Sequence, residues 1–279
     1  MIPYPDISPE IIRIGPLAVR WYGMMYLIGF AASYLLVRYQ IKKISQKPEA
    51  RSQKLKNKTS SPIAYRLLPI AYVDSLYSYL ILGLLLGARL GYVIFYNLPY
   101  YIHHPLEIFA VWQGGMSFHG GLIGSVIAGV LFCKKLKIDA WQVSDMVIVT
   151  APIGIGLGRL GNFINGELYG RVTDAPWAMI FPGGGPFPRH PSQLYEFFLE
   201  GIVLFTVLWA LKEKGLRTGM LSSIFLILYG AFRFFVEFFR EPDVQIGYIL
   251  GVFTMGQILS GMMMLFGFAI LFYRRRSVE

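Results

Sequence analysis

The chain has 279 residues, 55% of them hydrophobic and only 15% charged, and its mean hydropathy is +0.51. Soluble domains carry roughly 25% charge, so the composition argues against a soluble enzyme and excludes disorder. A single cysteine, Cys133, excludes an internal disulfide framework and a Cys-rich metal site, and the meaning of the +10 net charge depends on where the charges fall.

Met1 to Glu10 carry Asp6 and Glu10 but no Lys or Arg, unlike the basic start of a signal peptide. The first apolar run, Trp21–Val37, is therefore expected to stay as a membrane helix. Seven segments approach the roughly 20 apolar residues a span needs: 20–41, 68–97, 114–133, 142–163, 192–211, 219–239 and 248–273. Between the first two lies the basic loop 42–66, whose stretch Lys42–Pro62 is rich in Lys, Ser and Gln. It reads as a solvated, topology-setting loop, with contact to anionic headgroups as the alternative. Tyr100–Gly115, with Tyr100, Tyr101, His103, His104 and Trp112, reads as an outer interfacial segment with aromatic anchors. The connection 163–191 places Gly183, Gly184 and Gly185 among Pro182, Pro186 and Pro188. It is too long for a turn, and we expect a small extracytoplasmic head of turns with room for short strands.

Seventeen Lys and Arg fall in the connections after the first, third, fifth and seventh segments, against five in the others. By the positive-inside rule this asymmetry predicts an all-α polytopic membrane protein of seven transmembrane helices, N-terminus out and C-terminus in.

Ionisable groups inside a membrane are costly and default to functional hypotheses. The densest set is Gly158-Arg159-Leu160-Gly161-Asn162-Phe163-Ile164-Asn165-Gly166-Glu167-Leu168-Tyr169-Gly170, at the outer end of the fourth segment. Arg159 offers a planar fork of donors that suits a phosphate. Asn162 and Asn165 add neutral donors, and Glu167 can orient an arginine or a hydroxyl. The plainer alternative is a Gly-rich helix end with Arg159 snorkelling to the interface.

In the sixth segment Tyr229, Arg233 and Glu237 recur at i, i+4 and i+8 and are followed by Arg240. At 3.6 residues per turn they share an arc of about 80°, with Arg233 roughly 10 Å below Arg240. An intrahelical Arg233–Glu237 pair competes there with a receptor for a lipid phosphate. His119 sits among Gly114, Gly115, Gly120 and Gly121. It reads as a packing residue, a hydrogen-bond donor or a general base. Ser192, Tyr195 and Glu196 open the fifth segment, as an N-cap and mouth residues or as substrate contacts. Asp145 reads as a cap or packing partner. No metal-ligand spacing, phosphate-binding loop or serine elbow appears, and no basic face suits nucleic acid.

Gly158–Gly170 matches every fixed position of G-R-x-G-N-F-x-N-x-E-x-x-G, and so resembles the signature of the bacterial prolipoprotein diacylglyceryl transferases. Arg20-Trp21-Tyr22-Gly23, Gly114–Gly121, Arg189-His190-Pro191-Ser192-Gln193-Leu194-Tyr195-Glu196 and Tyr229–Asp243 look like further blocks of that family, so the resemblance runs from Arg20 to Phe272. It implies one membrane-embedded catalytic domain over 1–279, in the bacterial inner membrane, with its site toward the outer leaflet. It implies transfer of the diacylglyceryl group of phosphatidylglycerol to the lipobox cysteine thiol of a prolipoprotein. A thioether forms and glycerol phosphate leaves, the first step of lipoprotein maturation, with membrane lipids as the surroundings and no cofactor or metal. It implies His119, Arg159 and Arg233 as catalytic residues. Tyr22, Tyr26, Asn162, Asn165, Glu167, Gly170, His190, Tyr229, Glu237 and Arg240 would bind substrate. A transporter for an anionic solute and another phospholipid headgroup transferase are the competing readings.

Overall fold

The first element is one the sequence reading placed no strand in. In a computed structural model, β1 (Glu10–Ile14) and β2 (Leu17–Arg20) form an antiparallel hairpin that turns through Gly15 at φ 59°. The β-branched residues Ile12 and Val19 pair directly across it. The structure describes residues 2–15, 17–45, 68–242, 247–249 and 251–276. Most of the basic loop 42–66 and Asp243 lie outside the described residues.

Helices then follow in order: α1 (Trp21–Ser45), α2 (Val73–Tyr96), the short α3 (Leu98–His103), α4 (Phe118–Leu136), α5 (Ala140–Ile148) and α6 (Ala151–Ile164). After the head come α7 (Ser192–Leu211) and α8 (Met220–Val236). A two-residue ladder, β3 (Tyr248–Ile249) with β4 (Phe253–Thr254), leads into α9 (Met255–Arg276). Each of the seven expected segments thus contains helix. Among the described residues, five helices (α1, α2, α4, α7 and α9) are long and apolar enough to cross a membrane, and α5 with α6 makes a sixth if that bent pair is one span. The chain is a multi-pass membrane protein on that count. α8 is apolar but has 17 residues.

The 42° bend between α5 and α6 has a chemical cause. Pro152 lacks an N–H, and its ring excludes the carbonyl four residues earlier. Thr150 sits fully buried at the break. Its hydroxyl donates to the Val147 carbonyl at 2.7 Å and lies 2.6 Å from Ser33 Oγ of α1. The Val147 carbonyl beside the break is thereby satisfied inside the protein, as a membrane span requires.

The chain forms two compact units, residues 37–143 and residues 1–36 with 144–279. In the first, α2 and α4 pack through glycines. A Cβ on Gly91 would lie 2.8 Å from the Gly120 Cα, and one on Gly87 would lie 2.8 Å from the Gly124 Cα. Backbones this close need residues without side chains. Gly124→Leu is expected to separate the two helices and to cost at least about 1–3 kcal/mol, the usual range for overpacking. Thermal unfolding in detergent checks this, and an unchanged melting temperature would count against it.

Arg89 organises one end of the same unit. It is buried, and its guanidinium donates to the carbonyls of Ile108 (2.7 Å), Gly114 (2.6 Å) and Glu107 (2.6 Å) while lying 5.2 Å from the centre of the Tyr101 ring. The interfacial segment expected around Tyr100–Gly115 is thus folded about one arginine. Leu106, Phe109 and Trp112 point outward from it, each at least 75% exposed.

Two hydrophobic cores lie among the described residues of the larger unit. Val149, Leu204, Leu208, Leu221 and Phe225 fill the space among the helices, and Phe163, Met179 and Phe181 form the base of the head. The head is built of turns and single β-bridges, Val172 with Arg189 and Met179 with Arg189. Asp145 caps α8 from outside: its carboxylate accepts from the Gly219 and Ser222 N–H groups at 2.7 and 2.8 Å and from the Ser222 hydroxyl at 2.7 Å.

Candidate active site

The site grows from a close approach between α6 and α7. Residues Phe197–Val203 of α7 are wound as a π-helix, a form that recurs at functional positions. Gly201 in that stretch faces Gly156 of α6, and a Cβ on either would lie 2.9 Å from the other's Cα. One turn of α6 beyond Gly156 stands Arg159. Its Nε lies 3.2 Å from Glu196 Oε2 and 3.5 Å from Glu200 Oε2.

Both carboxylates are fully buried. Glu196 is the hub of the cluster. Its Oε1 accepts from Arg233 of α8 at 2.6 Å and from Arg240 at 3.4 Å, so three guanidiniums converge on one carboxylate. Arg233 also reaches Glu237 Oε2 at 2.7 Å. Glu237 is fixed in turn by the Thr254 hydroxyl at 2.9 Å, and a Cβ on Gly256 would lie 2.5 Å from its Oε1. The Tyr229 hydroxyl sits beside Arg159, and its ring stacks on Phe225 at 5.6 Å.

Three arginines face three glutamates, so the formal charges cancel. Buried charges persist in a membrane protein only when paired in this way. The side chains of Arg159, Arg233 and Arg240 remain 19%, 14% and 11% exposed. The carboxylates thus pair the arginines while part of each arginine side chain stays exposed.

Next to this cluster the loop after α6 is folded on its own side chains. Asn162 and Asn165 both donate to Glu167 Oε1, at 2.8 and 3.2 Å. Gln193 Nε2 donates to the Glu167 carbonyl at 2.6 Å, and the Ser192 hydroxyl to the Leu168 carbonyl at 3.0 Å. Ser192 thus ties the loop down and does not cap α7, where Pro191 takes the cap position. Leu168 is held at φ 59°, a left-handed conformation that costs about 1–2 kcal/mol for a residue with a Cβ. Such outliers persist where the surroundings fix them. Gly170 admits no side chain: a Cβ there would meet the Phe239 carbonyl and lie 2.7 Å from the His190 Cβ. Its N–H donates to the His190 carbonyl at 2.8 Å, and it forms a bridge with Arg240.

Tyr22 and Tyr26 stand on α1 with their hydroxyls 3.0 Å apart. The Tyr22 ring covers Gly161 of α6, and the charges of Arg159 and Glu167 both act on the Tyr26 hydroxyl. His190 faces the Tyr195 hydroxyl through Nδ1 at 3.0 Å, and burial moves its titration below the ordinary histidine range.

Of the residues expected from sequence, Arg159, Tyr229, Arg233, Glu237 and Arg240 share one cluster. Asn162, Asn165 and Glu167 share a second, and Gly170 and His190 join it to the first through Arg240. His119 belongs to the other compact unit, where it is exposed near the start of α4, after Ser117, whose Oγ accepts from the Gly120 N–H at 3.2 Å. The sequence reading put Glu196 at the mouth of a helix and passed over Glu200. The signal was there: Gln193, Glu196 and Glu200 recur at i, i+3 and i+7 in an apolar helix, and all three are fully buried. Among the described residues no group of three His, Cys, Asp or Glu is placed to hold a metal ion.

The sequence model of the prolipoprotein diacylglyceryl transferase family matches residues 9–273. A phosphatidylglycerol–prolipoprotein diacylglyceryl transferase of Desulfotalea psychrophila is 51% identical over 276 residues, covering 97% of this chain and 94% of the relative. The protein of the same description from Geobacter sulfurreducens is 50% identical over 275 residues, 98% of each chain. That from Francisella tularensis subsp. novicida is 48% identical over 272 residues, 97% of this chain and 94% of the relative. The chain belongs to the prolipoprotein diacylglyceryl transferase family.

Proposed function

We propose that this chain moves the diacylglyceryl group of phosphatidylglycerol onto the lipobox cysteine thiol of a prolipoprotein. The substrate sulfur attacks the glycerol carbon that bears the phosphate. A carbon–sulfur bond forms, a carbon–oxygen bond breaks, and glycerol phosphate leaves with the electron pair. The single observation that carries this reading is the convergence of Arg159, Arg233 and Arg240 on Glu196. Guanidiniums paired with buried carboxylates are poised to take up the charge that grows on a departing phosphate, and fixed donors cost no reorganisation when it forms.

His119 is the base in this reading. A free thiol titrates near 8.5 and reacts as the thiolate, so a base speeds the attack at neutral pH. Asn162, Asn165, Glu167, Gly170, His190, Tyr22, Tyr26 and Tyr229 bind and orient the two substrates, and Glu237 steadies Arg233. The site serves the outer leaflet of the bacterial inner membrane, in a chain of seven spans with its N-terminus out and C-terminus in. The 17-to-5 division of loop Lys and Arg supports that topology.

The deciding experiment supplies phosphatidylglycerol labelled in its acyl chains, and a lipobox peptide, to the purified protein in detergent. Label should move to the peptide as glycerol phosphate appears. Label that stays in lipid, or moves to another headgroup, would sink the reading in favour of a transporter or a headgroup transferase. The topology has its own test: a reporter inserted near Gly184 should read extracytoplasmic and one fused after Arg276 cytoplasmic. A cytoplasmic signal at Gly184 would put the head on the wrong side for this reaction.

Arg233→Lys is expected to lose at least about tenfold in turnover although the charge is kept. A lysine is a point donor and cannot serve Glu196, Glu237 and a phosphate at once, and one charge-assisted hydrogen bond is worth about 1.5–3 kcal/mol. Near-normal turnover by a folded Arg233→Lys would reduce Arg233 to a source of field or packing.

A further inference from the structure

Beside the arginine cluster runs a second polar chain, made of neutral groups. Trp177 Nε1 lies 2.6 Å from the Tyr195 hydroxyl, which lies 3.0 Å from His190 Nδ1. An indole N–H only donates, so the Tyr195 oxygen accepts from Trp177. The Tyr195 hydrogen is then left for another acceptor, and among the described residues the one polar atom facing it is His190 Nδ1. A neutral imidazole carries one proton, and a ring nitrogen that accepts leaves that proton on the other. His190 Nε2 makes no hydrogen bond among the described residues.

The ring is also fixed in plane. Tyr195 meets it at a centroid distance of 5.9 Å and Phe239 at 5.2 Å, both edge to face. Its place ties it to the cluster in two ways. Tyr195 directly precedes Glu196 on α7. Gly170 pairs with His190 on one side and with Arg240 on the other, and Arg240 shares Glu196 with Arg233.

We propose that Trp177 and Tyr195 lock His190 as the Nε2–H tautomer, and that this N–H donates to a headgroup oxygen of the phospholipid bound at the arginines. This rests on the reading of the substrate given above. A neutral donor of fixed direction adds what the charged cluster lacks, orientation of the headgroup without further charge. His190 would be a substrate-binding residue, with Trp177 and Tyr195 as positioning residues that act through it.

Two measurements on the full chain in detergent test this separately. The first is the ring spectrum of protein labelled with 13C and 15N in histidine. With four histidines in the chain, the His190 signals are assigned by their loss in His190→Gln. The pattern expected is that of Nε2–H, and Tyr195→Phe should turn it into a mixture of tautomers. A wild-type Nδ1–H pattern overturns the proposal.

The second is a kinetic comparison of His190→Gln with His190→Asn. The glutamine amide nitrogen falls near the place of Nε2, and that of asparagine near Nδ1. His190→Asn is expected to raise the KM for phosphatidylglycerol about tenfold, one lost hydrogen bond, with the KM for the lipobox peptide unchanged. His190→Gln, which keeps a donor near the place of Nε2, should raise the lipid KM less than His190→Asn does. A lipid KM equal in all three proteins, or a rise confined to the peptide, overturns the assignment to the headgroup. If the wild-type chain itself transferred no label, the functional reading would fall, while the spectrum would still decide the tautomer.

Discussion

Glu196→Ala should stop transfer, with a loss of at least about a hundredfold, and should lower the thermal stability of the protein. Removing one partner of a buried ion pair commonly costs about 3–5 kcal/mol, because the other charge is left uncompensated. Here the removed carboxylate serves Arg159, Arg233 and Arg240 together. Glu200 and Glu237 remain, so three guanidiniums would face two carboxylates in a setting that water reaches poorly. Glu196→Gln separates shape from charge: it keeps the oxygen that Arg233 meets at 2.6 Å but removes the counter-charge. Its activity should fall nearly as far as that of the alanine variant, with a smaller drop in melting temperature. Turnover of labelled lipid and unfolding in detergent measure the two effects. Wild-type behaviour of Glu196→Ala in both would show that the arginines are satisfied without it.

His119→Gln is expected to fold, to bind phosphatidylglycerol and to transfer its diacylglyceryl group about 10²–10⁴-fold more slowly, the usual range for loss of a general base. Glutamine keeps a similar size and a hydrogen-bonding head, so a packing role predicts little change. Raising the pH toward the thiol's own titration near 8.5 should recover part of the rate, because the thiolate then forms unaided. Single-turnover transfer between pH 6 and 9.5, with lipid binding measured separately, decides the matter. A deficit that is equal at every pH would make His119 a hydrogen-bond donor to substrate, and near-wild-type rates would make it a packing residue.

Much of the fold was legible because a membrane imposes simple rules. Long apolar runs interrupted by a few charges marked segments that each contain helix, five or six of them fit to span a membrane among the described residues, and the buried charges themselves pointed to Arg159, Arg233, Glu237 and Arg240. What stayed hidden depends on facing. A glutamate near the start of a helix reads as solvated until the helix is turned, and Glu196 proved to be turned inward with Gln193 and Glu200. The π-helical stretch of α7 is a winding that no periodicity in Phe197–Val203 announces. The hairpin Glu10–Arg20 was hidden for another reason: it is short, lies beside a strong helix signal, and its two strands of five and four residues are joined by a tight turn at Gly15. The bend at Thr150 went unread too, although its cause, Pro152, stands in the sequence.

The sharing of one carboxylate by three arginines also bears on how this protein can change over generations. Glu196 Oε1 and Oε2 bind partners from α6, α8 and the segment after α8, so the cost of replacing any one depends on what stands at the others. Effects at positions coupled in this way do not add. A neutral arginine replacement leaves an excess of negative charge, and only a matching loss among Glu196, Glu200 and Glu237 restores the balance. Paths through sequence space that alter one of these positions at a time therefore descend before they can rise. In a library randomised at all six positions, surviving variants should retain equal numbers of acidic and basic residues far more often than independent sampling would give.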